Sequence, residues 1–130
     1  MAMKTVLMID DEENFCSLIK ESLEMRSDFD VFVATSGLEG LNIAKRVKPD
    51  IILLDIRMPD MDGFKVLEKL KKDKDTMAIP VIMLSALEDD ASKIKASQLF
   101  DELYITKPVK IEDLQNSITE VLKRRGTSGA

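Results

Sequence analysis

Histidine is missing from these 130 residues. That removes imidazole both as a metal ligand and as the base of a nucleophilic triad. Any chemistry therefore falls to carboxylates, hydroxyls, lysine and a bound cation. The single cysteine, Cys16, cannot close an internal disulfide. It reads as a small apolar packing residue suited to a reducing, cytoplasmic compartment. No apolar run approaches the roughly 18 residues of a spanning helix, and the longest, Ala78–Leu84, is broken by Pro80, so no membrane partner is expected. The N-terminus carries no basic segment followed by an apolar one, and no secretory signal is read there. A basic excess is also lacking: 19 Lys+Arg against 24 Asp+Glu leave a net charge of −5, which argues against nucleic-acid binding by this domain.

What is present suits one folded domain of ordinary size, 45% apolar and 33% charged. Residues 1–125 are read as that domain and 126–130 as a disordered tail of the small polar composition that a cloning remnant has. Strands are expected over Lys4–Ile9, Asp30–Ala34, Ile51–Leu54, Val81–Leu84 and Leu103–Thr106. Between them run helical patterns. The first has Phe15, Leu18, Ile19, Ser22 and Leu23 on one face. The second opens on a Ser36/Glu39 capping box, has Leu38, Leu41, Ala44 and Val47 inward, and stops at Pro49. The third starts at Gly63 with Phe64, Leu67 and Leu70 inward, and a polar loop, Lys71–Ala78, follows. A thin stripe over Ala91–Leu99 makes a weak fourth helix. Ile111, Leu114, Ile118, Val121 and Leu122 make a clear last one. Five strands alternating with five helices predict a doubly wound, five-stranded parallel sheet of flavodoxin-like architecture, strand order 2-1-3-4-5. Such a sheet gathers its ligands at the carboxyl ends of the strands.

Those ends carry an unusual set of residues. Asp55 closes the apolar run Ile51–Leu54, where an unpaired buried charge would cost several kcal/mol or more. Asp10-Asp11 follow the first strand, Ser85 the fourth and Lys107 the fifth. Each has a plain alternative: acids beside a helix N-terminus, a turn aspartate, a loop hydroxyl, a solvated lysine. Together they are more specific. Three carboxylates in one pocket repel, and a hard divalent ion such as Mg²⁺ relieves the repulsion. Lysine and serine suit the developing charge of a phosphoryl group, and a carboxylate can become an acyl phosphate. The combination points to phosphoryl transfer onto Asp55.

The ordered set Asp10-Asp11, Asp55-Ile-Arg-Met-Pro-Asp-Met-Asp-Gly63, Ser85-Ala86 and Tyr104-Ile-Thr-Lys107-Pro108 resembles the receiver domain of two-component response regulators, over about residues 4–124. The resemblance implies that Asp55 accepts a phosphoryl group from the phosphohistidine of a sensor histidine kinase or a histidine phosphotransfer protein. It implies Mg²⁺ held by Asp10, Asp11, Asp55 and the backbone carbonyl of Arg57, with Asp11 the more directly coordinating acid of the pair. Lys107 would pair with the phosphoryl oxygens beside a cis Lys107–Pro108 bond. Ser85 would hydrogen-bond the phosphoryl group and Tyr104 would turn inward behind it. That switch would remodel the surface built from the 91–99 helix, the fifth strand and the last helix, toward a downstream target or effector domain. The family commonly pairs through this surface, so the resemblance admits a homodimer. Such a chain catalyses its own phosphorylation and dephosphorylation and has no other substrate.

Leu99-Phe100-Asp101-Glu102-Leu103 stands where the family usually has a Gly-Ala pair, so a specialised partner face or an oligomer contact is expected there. No effector domain follows the last helix, which fits either a stand-alone receiver or one taken from a longer regulator or hybrid kinase. A receiver serving only as a constitutive interaction module stays open as the alternative. Two enzyme readings do not fit: the first loop lacks the Asp-x-Asp-x-Thr arrangement of haloacid-dehalogenase phosphatases, and its acids would repel a flavin phosphate.

Arg57 and Leu87, two residues beyond Asp55 and Ser85, lie where the family tunes phosphoryl lifetime. A cation and an apolar group there should shield the acyl phosphate from water and make its hydrolysis slow. Loss of label from the phosphorylated protein should accelerate in Arg57→Ala and in Leu87→Ala; unchanged decay in both would contradict the assignment.

Overall fold

Apolar residues fill both faces of the central strands β1 (Lys4–Ile9), β3 (Ile51–Asp55) and β4 (Val81–Ser85), which requires a sheet covered on both sides. The computed structural model, which describes residues 3–26, 28–86, 91 and 102–129, has that sheet. With β2 (Phe29–Ala34) and β5 (Leu103–Thr106) it is five-stranded, with order β2-β1-β3-β4-β5 and every pairing parallel. The helices are α1 (Glu13–Glu24), α2 (Gly37–Val47), α3 (Gly63–Lys72) and α4 (Ile111–Gly129). Successive strand residues serve opposite cores. Val6, Met8, Ile51, Leu53, Ile82 and Leu84 pack with α1 and α4, whereas Leu7, Ile9, Ile52, Leu54 and Met83 pack with α2 and α3.

Four helices stand among the described residues, against five expected. The expected helix over 91–99 lies outside the described residues except for Ala91, as do Leu87 and the Phe100 region. α4 continues to Gly129, so its helical backbone runs through residues 126–129, expected as tail. Once a helix is nucleated, each further residue adds a hydrogen bond at little cost.

Two helix faces differ from the periodicity. In α1 Leu18 is 54% exposed, and Cys16 takes the inner position with Ile19 and Leu23. In α2 Leu38 is 60% exposed, and the buried stripe is Gly37, Gly40 and Ala44. A Cβ on Gly40 would lie 2.5 Å from Ile9 Cδ1, so the helix sits against β1 through its smallest residues. Hydrophobicity counting misses such a stripe because glycine contributes no apolar surface. In α3 Val66 is buried beside Leu67 and Leu70, while Phe64 is only partly covered.

The caps follow the sequence closely. Ser36 Oγ accepts from Glu39 N at 3.1 Å, and Glu39 Oε1 accepts in return from Thr35 N at 2.7 Å, one residue upstream of a standard box. Asp62 Oδ1 accepts from Lys65 N at 2.9 Å and starts α3. Gly63 is needed for space, since its φ is not positive. An added Cβ would lie 2.8 Å from Ile56 Cα and overlap the Asp55 carbonyl oxygen, both backbone atoms that cannot swing aside.

At the opposite end of the sheet, Glu102 is nearly buried and pairs with Lys71 Nζ, while its other oxygen accepts from Val81 N at 3.0 Å. This ties α3 to the starts of β4 and β5. Among the described residues no helix is long and apolar enough to cross a membrane.

Candidate functional site

Register brings the site together. Ile9 lies level with Leu54 on β3 and with Ala34 on β2, so the next residues on the first two strands named, Asp10 and Asp55, emerge side by side. Asp55 in turn pairs with Leu84, and Ser85 with Thr106, which places Ser85 one step and Lys107 two steps beyond the level of Asp55. Asp10, Asp55 and Ser85 are thus the first polar residues after runs that the core demands be apolar.

Asp10 is fully buried. Its N–H donates to Ala34 O at 3.0 Å, and Oδ1 accepts from Glu12 N at 2.9 Å, which fixes the carboxylate where α1 is about to begin. Its Oδ2 accepts from Lys107 Nζ at 2.9 Å. Lys107 Nζ also lies 2.8 Å from Asp55 Oδ1, so one ammonium bridges two buried carboxylates. Asp11 is exposed at the rim, and carboxylate oxygens of Asp10, Asp11 and Asp55 all lie within 4.8 Å of one another. Ser85 is buried, and its carbonyl accepts from Lys107 N at 2.6 Å. The Lys107–Pro108 peptide is cis. Tyr104 is half-buried on β5 opposite Met83 and packs against the α2/α3 core, while Arg57 is exposed. Of the residues proposed from sequence, the structure brings Asp10, Asp11, Asp55, Ser85 and Lys107 to one end of the sheet. Leu87 lies outside the described residues.

One neighbour escaped the sequence reading. The ring centroid of Phe15, on the first turn of α1, is 4.6 Å from Lys107 Nζ. Its spacing marked it as a core residue, and only its place four residues after the Asp10-Asp11 pair hinted at more.

Burial pushes the Asp55 carboxyl up to about 6; the Lys107 hydrogen bond pulls it down, and the charge of Asp10 adds to the rise. Burial works against the Lys107 charge, but its hydrogen bonds to Asp55 and Asp10 outweigh that and raise its pKa. Burial, helped by Asp10, pushes the Cys16 thiol up to about 12. That thiol donates to the Asp10 carbonyl at 3.2 Å, in keeping with an inert packing residue. Three carboxylates against one ammonium leave excess negative charge, and an all-oxygen donor set with one exposed member can hold a hard divalent cation.

The family model for the response regulator receiver domain matches residues 6–119. The chain belongs to the response regulator receiver family. This receiver is 36% identical over 122 residues, 94% of its length, to the DNA-binding dual master transcriptional regulator RpaA of Synechocystis, of which it covers 50%. It spans about half the length of that regulator and of the other transcriptional regulators first matched. It is 34% identical to Protein PilH of Pseudomonas aeruginosa, covering 92% of this chain and 98% of that one. Among solved structures, the receiver domain protein from Clostridium thermocellum superposes with a TM-score of 0.86 at 31% identity, covering 96% of this chain and 98% of that one.

The raised Asp55 pKa sets a stability test on the metal-free receiver. The folded state holds that proton more tightly than the unfolded chain, whose value is near 3.8. The stability this contributes is complete below about pH 4 and is lost as the pH rises through about 6. Asp55→Asn, which cannot ionise, should therefore be more stable than the parent at pH 7–8 by about 3 kcal/mol, the gap closing toward pH 4. Denaturant midpoints across that range in EDTA check this; a variant no more stable at pH 8 than at pH 4, relative to the parent, would contradict it.

Proposed function

We propose that this receiver takes a phosphoryl group on Asp55 from the phosphohistidine of a sensor histidine kinase or phosphotransfer protein, and that the modified chain controls a downstream partner or effector. The observation that carries the reading is the convergence of Asp10, Asp11 and Asp55 within 4.8 Å around the bridging Lys107 ammonium. With a pKa of about 6, Asp55 is largely ionised at pH 7 and available as a nucleophile. Its carboxylate oxygen forms the new bond to phosphorus as the phosphorus–nitrogen bond of the donor breaks. The electron pair leaves with the donor imidazole. The chain has no other substrate in this reading: it catalyses its own phosphorylation and the hydrolysis that ends it.

Asp10, Asp11, Asp55 and the Arg57 carbonyl would hold Mg²⁺, which when bound supplies the positive charge that a phosphoryl group needs beside three acids. Lys107 follows the transferred charge. Paired now with Asp10 and Asp55, it is within reach of oxygens added to Asp55. Ser85, buried next to the strand partner of Asp55, supplies a hydroxyl donor on the other flank. Tyr104 is two residues before the strand end that Ser85 pairs with, so a shift of Ser85 toward the phosphoryl group is felt directly on β5. The output surface is then β5 with its flanking elements, and the switch is a change in population between two arrangements of that edge.

Incubation with acetyl phosphate and Mg²⁺ followed by intact-mass measurement tests the reading. One added phosphoryl group is expected, absent in Asp55→Asn and absent when the metal is chelated. A folded chain that gains no mass would overturn it in favour of an interaction module without phosphoacceptance.

A further inference from the structure

We propose that Phe15 is a positioning residue for Lys107, holding its ammonium at the site when the carboxylates are engaged elsewhere. The proposal rests on the phosphoacceptor reading above. Among the described residues, the Lys107 ammonium lies close to Asp10 Oδ2 at 2.9 Å, Asp55 Oδ1 at 2.8 Å, and the Phe15 ring with its centroid at 4.6 Å. Two of these are the carboxylates that a divalent cation would claim. The third is not a ligand for a hard cation, which takes oxygen. It lies within the roughly 6 Å at which a ring face attracts an ammonium. Without it, a lysine on a flexible four-carbon stem would be free to swing into water once its anionic partners were neutralised.

The ring is held in place for this purpose. Phe15 sits on the first turn of α1, next to Cys16, which is buried and bonded to the Asp10 carbonyl. Its side chain packs against the same core as Ile19 and Leu114, so the α1 scaffold fixes where the ring stands. Leucine at 15 would fill apolar space there without a π face; tyrosine would keep the face.

In the metal-free protein, the Lys107 ε-methylene protons should be shifted upfield by the ring current in the parent and in Phe15→Tyr, and should return to the ordinary lysine position in Phe15→Leu. Phosphorylation by acetyl phosphate with Mg²⁺ should slow about three- to tenfold in Phe15→Leu and stay close to the parent rate in Phe15→Tyr. In a Lys107→Met background, Phe15→Leu should produce no further slowing. A merely structural role for Phe15 would leave the slowing intact in that background. The proposal is overturned if the parent Lys107 signals sit at ordinary positions, a result that needs no variant to fold. It is overturned equally if Phe15→Tyr is as slow as Phe15→Leu, or if the Leu effect persists without Lys107. A parent that takes up no phosphoryl group would overturn the phosphoacceptor reading itself, and the ring-current shift would then decide the contact alone.

Discussion

A single ammonium, Lys107 Nζ, lies between two carboxylates that the fold buries at the ends of adjacent strands. Unit like charges about 5 Å apart repel by about 3 kcal/mol at the effective dielectric of a protein. Two acids at that spacing need a cation, and the remaining architecture supplies it. β5 must lie beside β4 for the residue after Thr106 to reach Asp55, and Lys107 N bonds the Ser85 carbonyl to hold that approach. Asp10 must be held by Ala34 O and Glu12 N for its other oxygen to face the lysine. Compensation is incomplete: burial first, with the Asp10 charge behind it, holds the Asp55 carboxyl up at about 6 despite the Lys107 hydrogen bond, and Asp11 adds a further charge at the rim. The site therefore retains a demand for positive charge, which is the property a phosphoryl-accepting aspartate needs if it is to work with a cation.

The loop from Asp55 to Gly63 has its own anchors. Gly63 N donates to Ile56 O at 2.7 Å and lies so close to the Asp55 carbonyl that only glycine fits. Asp62 caps α3. Asp60 reaches across to α2, where its two oxygens accept from Gly37 N at 3.0 Å and Leu38 N at 3.2 Å. Those backbone bonds, that to Gly37 first, hold the Asp60 carboxyl below the usual carboxylate range. The α2 N-terminus thus receives one cap from Ser36 and another from the loop that follows Asp55. Segments on either side of Asp55 are pinned by backbone contacts and caps, and the exposed Arg57 between them projects from a fixed base.

Most of the sheet was legible because its strands are short, apolar and bounded by turn residues, and because a parallel topology admits few connections. Asp10, Asp55 and Ser85 were legible for the same reason: each ends a run whose burial leaves no packing motive for a charge or hydroxyl, whereas the exposed Asp11, and Lys107 after a half-buried strand, were legible only as members of the set. The helix faces were less so. Leu18 and Leu38 satisfy a helical period yet point outward, while Cys16 and Gly40 face the sheet and Gly37 lies against Val66 and Met61, a closeness achieved by small residues. The Lys71–Glu102 pair and the Asp60 cap were not legible at all. Each joins residues more than 20 apart through ordinary surface-type side chains, with no period or motif to announce the contact. Phe15 fell between: its type and spacing were visible, but only the fold brings its ring beside the lysine.

The central claim is that Lys107 and a divalent cation share one carboxylate cluster. Calorimetric titration of Mg²⁺ into the parent, Asp11→Ala and Lys107→Met tests it most directly. Binding should weaken at least about tenfold without Asp11 and tighten without Lys107, because removing the ammonium frees Asp10 and Asp55 for the metal. Equal affinity in all three proteins, or no binding to the parent, would contradict the account.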